Sequence, residues 1–203
     1  MLRPLVLAYG LAAAAGASPL PGELTVNVSV SVAGEEAPVQ RTYHMSRGQI
    51  LLVSDFELGD SVEGQLVSIR VPPDIGADCR VQSQYETSVT IGDEGPHLDL
   101  VDWIHHTSDW VDAKRLGRKR GFRLPVLSES DRTRFPEVPV WELRDAVLER
   151  GGQHWVDLIQ DVEGPLDLLT LVDVSVIRMR VVCGAGATAD VVGTLEFQIP
   201  MGC

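Results

Sequence analysis

The chain reads as mainly β, an antiparallel β-sandwich of one domain with a short helical insertion at about residues 138–162. Three observations carry that reading. Apolar and polar residues alternate with period two in several stretches, as strands with one buried and one wet face require. Helical spacing is confined to one interval. Glycine and proline punctuate the runs between them, and neither an internal repeat nor a low-complexity linker divides the 203 residues.

Taken in order, the chain starts with Arg3, an apolar run from Leu5 to Ala15, and the small triplet Ala15-Gly16-Ala17 before Ser18. This is the layout of a secretory signal peptide over residues 1–17, and its apolar run is too short to span a bilayer comfortably. The mature domain is then 18–203, with no cysteine just after the cleavage point to carry a lipid and no membrane span. A periplasmic or extracellular location follows as the expectation.

Leu24, Val26, Val28, Val30 and Val32 alternate with Thr25, Asn27, Ser29 and Ser31 to give the first strand. Shorter alternation at 49–53 and 66–71 gives two more, the second stopped by Pro72-Pro73, which lack the amide donors a ladder needs. The pattern returns at full length from Val81 to Ile91. In the helical interval Val140, Leu143 and Val147 recur before Gly151-Gly152. Trp155, Leu158, Ile159 and Val162 then outline a second short helix, which Gly164-Pro165 breaks. Ile177, Met179, Val181 and Cys183, followed by Leu195, Phe197 and Ile199, form a closing pair of strands joined across the loop 184–190 as a hairpin.

With 44% hydrophobic and 23% charged residues the chain can bury a substantial core. A net charge of -12 repels nucleic acid and anionic membrane over most of the surface, so a basic or cationic partner fits better. Lys114 and Lys119 are the only lysines and Asn27 the only asparagine, which resembles the codon bias of a GC-rich bacterial genome. Cys79, Cys183 and Cys203 are compatible with one disulfide and one spare thiol, with three pairings open.

Chemistry-bearing residues concentrate in the charged excursion 92–123. Three of the five histidines, two of the four tryptophans and six acids fall within Gly92 to Asp112, followed by six basic residues from Lys114 to Arg123. His97, Asp99, His105 and His106 are donors of the kind that hold a divalent transition metal, provided that three or four converge. As a strand, His97 and Asp99 would share a face, while as a helix Asp102, His105, His106 and Asp109 would share one side. Packing and hydrogen bonding explain the same residues without a metal, since Trp103 and Trp110 suit half-buried anchors whose indoles find nearby aspartates. Ser128 and Ser130, beside Glu129 and Asp131, read as a turn or helix cap.

No HExxH, GxSxG, SxxK or phosphate loop is present, so no motif names a reaction, and neither a catalytic residue nor a cofactor is assigned. The foremost expectation is an exported, non-enzymatic protein of the bacterial cell envelope or exterior. It would bind a protein or an envelope component, and not nucleic acid, through Trp103, Trp110, Arg118, Lys119 and Arg120. One alternative is a metal-dependent enzyme with His97, Asp99, His105 and His106 as ligands and Glu94 or Asp102 as base. Another is a carbohydrate-binding module stacking sugars on tryptophan, against which the aromatic content of 5% weighs.

Overall fold

The computed structural model describes residues 22–71, 78–92, 97–101, 103–116, 121–132, 140–161, 170–184 and 189–201. The expected signal peptide, Pro72-Pro73, Gly164-Pro165 and Cys203 lie outside these residues. Two sheets make up a mainly β, sandwich-like fold, with helices inserted late in the chain. In the five-stranded sheet, β1 (Glu23–Val30) is flanked by β2 (Val39–Ser46) and β4 (Leu66–Arg70). The row continues through β10 (Gly121–Arg123) to β9 (Arg115–Leu116).

The second sheet is built on two fourteen-residue strands, β5 (Cys79–Gly92) and β11 (Thr170–Cys183), paired antiparallel. β12 (Asp190–Gln198) lies beside β11, completing the expected hairpin, and β3 (Ile50–Val53) forms the edge next to β12. The β3–β12 pairing is parallel, so the sandwich is antiparallel except at that edge. The far side of β5 carries three short strands one after another, β6 (His97–Asp99), β7 (His106–Thr107) and β8 (Val111–Asp112).

β2 was not expected from the sequence, and its position explains why. It is an edge strand on which only Met45 is buried, so its alternation is hardly apolar. β11 also begins earlier than its alternation from Ile177 suggests, because a bulge between Val174 and Val176 shifts the pleat by one residue. Val172 and Val174 therefore keep to the inner side on even numbers, and Ile177, Met179 and Val181 on odd ones.

The main core fills the space between the sheets with Leu24, Met45, Ile177, Met179, Leu195 and Phe197, all fully buried. Each such side chain contributes about 1.5–3 kcal/mol by leaving water. The sheets approach closely where Met45 of β2 meets Gly193 of β12, since a Cβ there would lie 2.6 Å from the methionine Cε. Cys79 and Cys183 face each other at the end of the β5–β11 ladder and form a disulfide, the pairing that spacing left open.

A second, smaller core lies where the other half of the long strands outruns the first sheet. Val89, Ile91 and Val172 pack there against Leu143 and Val147 of α2 (Val140–Gly151) and against Ile159, just beyond α3 (Gln153–Leu158). The helices thus fall within the expected insertion. α2 ends at Gly151, and Gly152 turns the chain with φ 84°, a backbone conformation that suits glycine. A four-residue turn of helix, α1 (Glu129–Arg132), precedes them, and its Asp131 amide donates to Ser128 Oγ at 3.2 Å as a cap. Among the described residues no helix is long and apolar enough to cross a membrane.

Candidate functional site

The described residues of 97–112 run along the edge of β5 with three short strands, matching the strand alternative and not the helix. Its side chains are therefore distributed along a strand, at about 3.3 Å per residue. His97 lies opposite Gly92 and Asp99 opposite Thr90. These two form their own pair, His97 Nε2 being 3.5 Å from Asp99 Oδ2, while Thr90 Oγ1 donates to Asp99 Oδ1 at 2.8 Å.

His105 and His106 sit further along, beside Thr87. Thr87 and Gly92 are five residue steps apart on β5, about 16 Å of strand. His105 is buried, with Nδ1 3.0 Å from Thr87 Oγ1 and its ring tilted against Trp103. His106 instead points to α1, its Nε2 lying 3.6 Å from Asp131 Oδ1. The four residues expected as metal ligands thus divide between the Gly92 end of β5 and its interior at Thr87. Among the described residues no three His, Cys, Asp or Glu side chains are grouped to hold a metal ion. Asp102 and Glu94 lie outside the described residues.

The two tryptophans also separate. Trp103 is half-buried against the smaller core, and its carbonyl accepts the Ser88 hydroxyl at 2.9 Å. Trp110 lies on the outer face of the second sheet, with the Arg180 guanidinium 4.0 Å from its ring centroid, a cation–π contact. Arg180 Nε donates in turn to Gln82 Oε1 at 2.9 Å. Arg118, Lys119 and Arg120 lie outside the described residues. On the same face Arg178 bridges two acids, Glu86 through contacts of 2.5 and 3.1 Å and Glu196 at 2.6 Å. Those hydrogen bonds, Glu86 first, hold its guanidinium more firmly protonated than usual.

What the fold does assemble is a cleft of about 300 Å³ at the open side of the sandwich. One wall is β5 with β7 and β8, contributing Ser83, Tyr85, His106 and Val111. The other is the connection from β10 into α1, contributing Pro125 and Asp131. Thr107 at the end of β7, with Ser108 and Asp109 between β7 and β8, closes it. The strand register fixes this wall. Tyr85 N donates to Ser108 Oγ at 3.0 Å, Ser108 N to Tyr85 O at 2.9 Å, and Gln84 Nε2 to Ser108 O at 2.8 Å.

Asp131 is the hub of the cleft. The Tyr85 hydroxyl and the Ser128 hydroxyl, the latter at 2.9 Å, both donate to its Oδ2, and His106 faces Oδ1. Burial, and then the bond to Asp131, raise the Tyr85 phenol above its ordinary value of 10.0. Tyr85 therefore stays protonated and donating at neutral pH. Local spacing gave no sign that Tyr85 and Asp131 meet, because they are 46 residues apart and come together only when α1 folds onto β5. The available signals were the density of chemistry-bearing residues at 92–112, which includes His106 and Asp109, and the capping pattern at Ser128 and Asp131.

Comparison of the chain with protein-family models, with curated proteins and with solved structures finds no significant match. The functional reading therefore rests on the site itself.

Proposed function

We propose that the chain is an exported, non-enzymatic binding protein of the bacterial cell envelope or exterior, and that the cleft between β5 and the connection into α1 receives its partner. The observation that carries this is the cleft's construction. Its polar groups are held by paired strands and by one another, so the surface is set before a partner arrives and little ordering cost accompanies binding. The cross-strand disulfide accords with an oxidising compartment, and residues 1–17 have the composition of an export signal.

The partner in this reading is a protein or an envelope component, not nucleic acid, which the net charge of -12 disfavours. The basic run Arg118, Lys119 and Arg120 is proposed as a second contact, whereas Trp110 lies on the outer sheet face, away from the cleft. The test is retention of solubilised envelope fractions on the immobilised protein, comparing the wild type with Asp109→Ala and with charge reversal at 118–120. The reading predicts a component retained by the wild type, weakened by Asp109→Ala and recovered with unchanged mass. Retention unaffected by every variant, or recovery of a chemically altered component, contradicts it.

A further inference from the structure

Resting on that binding reading, we propose that the cleft accepts a neutral polyhydroxylated ring, a single saccharide unit at the end of a glycan. The lining decides between ligand classes. Among the described residues it holds no lysine or arginine but two carboxylates, Asp109 and Asp131, so phosphate, sulfate and carboxylate ligands are repelled. A wholly apolar ligand would strip water from both carboxylates and return no hydrogen bonds.

A cationic ligand pairs best with a desolvated carboxylate whose oxygens no other donor occupies. Asp131 already accepts the Tyr85 and Ser128 hydroxyls and faces His106, and Asp109 stands on the exposed rim, where water screens an ion pair. A sugar has the complementary set. Its hydroxyls donate to Asp109 on the rim and exchange hydrogen bonds with the Ser83 hydroxyl, and its C–H face can lie on Val111 and Pro125. A volume of about 300 Å³ stands at the small end of ligand sites, enough for one ring, and the open side lets the rest of a glycan run out to solvent.

Tryptophan stacking has no part in this arrangement. Trp103 packs on the smaller core, and Trp110 lies on the opposite side of the sheet under Arg180.

The test uses the full chain against a glycan array and, by calorimetry, against free monosaccharides, with spermidine, a lysine oligomer and inorganic phosphate as the other ligand classes. A subset of saccharides should bind. Asp109→Ala should weaken them about tenfold or more, the loss expected of one hydrogen bond to a charged group. Val111→Arg, placed on a side chain that is 55% exposed, should block them. Circular dichroism and thermal unfolding, unchanged in both variants, separate loss of binding from loss of fold. Silence toward every saccharide overturns the proposal, and so does saccharide binding that neither variant weakens. Binding of spermidine or the lysine oligomer in place of sugars overturns the ligand class but leaves the binding-protein reading standing. If envelope components are not retained either, the underlying reading falls with it.

Discussion

At the scale of single residues, Asp131 joins three parts of the chain that sequence distance keeps apart: β5 through Tyr85, β7 through His106 and its own cap through Ser128. Removing one donor leaves the other contacts in place, so Tyr85→Phe should cost about 1 kcal/mol, the usual net worth of a hydrogen bond, in chemical denaturation. The same phenol sets an alkaline limit. Because burial raises its folded value above the ordinary 10.0, its contribution to stability is complete below pH 10 and is lost as pH rises through the raised value. Tyr43, raised by burial and then by Asp55, acts in the same direction. Denaturation midpoints should therefore stay level with respect to both tyrosines up to about pH 10 and fall above it. A shallower fall in Tyr85→Phe is expected, and an identical one contradicts the assignment. Asp131 also shows why the site was hard to read in the sequence. The residues that looked like ligands were neighbours in the chain, and alternation along a strand sends neighbours to opposite faces.

At the scale of elements, the β5–β11 pair is the axis of the molecule, because its two halves serve different cores. The alternation at Val81–Ile91 and at Ile177–Cys183 was plain in the sequence. The extension of β11 to Thr170 was not, since the bulge before Val176 breaks the parity that makes a strand visible. Across this pair Arg178 holds Glu86 with two hydrogen bonds and Glu196 with one. Glu86 is the more deeply placed acid, so Glu86→Ala should destabilise by about 2–3 kcal/mol and Glu196→Ala by about 1. Equal effects in urea titrations would argue against a hierarchy between them. The disulfide closes the same ladder over a sequence separation of 104. Replacing both Cys79 and Cys183 by serine should lower stability by about 2–4 kcal/mol, and a peptide map without reductant should show the two joined. At the other end, Gly151 lets α2 meet Leu98 and Trp155, where a Cβ would lie 2.6 Å from each. Gly151→Ala gains about 1 kcal/mol of helix propensity and loses more to overpacking. A net loss in thermal stability is the expected outcome.

At the scale of the whole molecule, two sheets leave one side of the sandwich open, and the chain returns there twice, first through β7 and β8 and later through α1. The mainly β sandwich and the helical insertion were legible because period and punctuation are local properties of a sequence. The cleft was not, because it depends on which edge of β5 receives the segment after Gly92, a matter of register and not of composition. The central claim is that binding occurs in this opening and not on the outer sheet face that carries Trp110 and Arg180. The most direct measurement is a map of amide chemical shifts of the full chain on titration with a saccharide selected by the glycan array. The account predicts shifts concentrated at Ser83–Tyr85, His106–Val111 and Asp131. Shifts confined to the outer face, around Gln82, Arg178, Arg180 and Glu196, would contradict it.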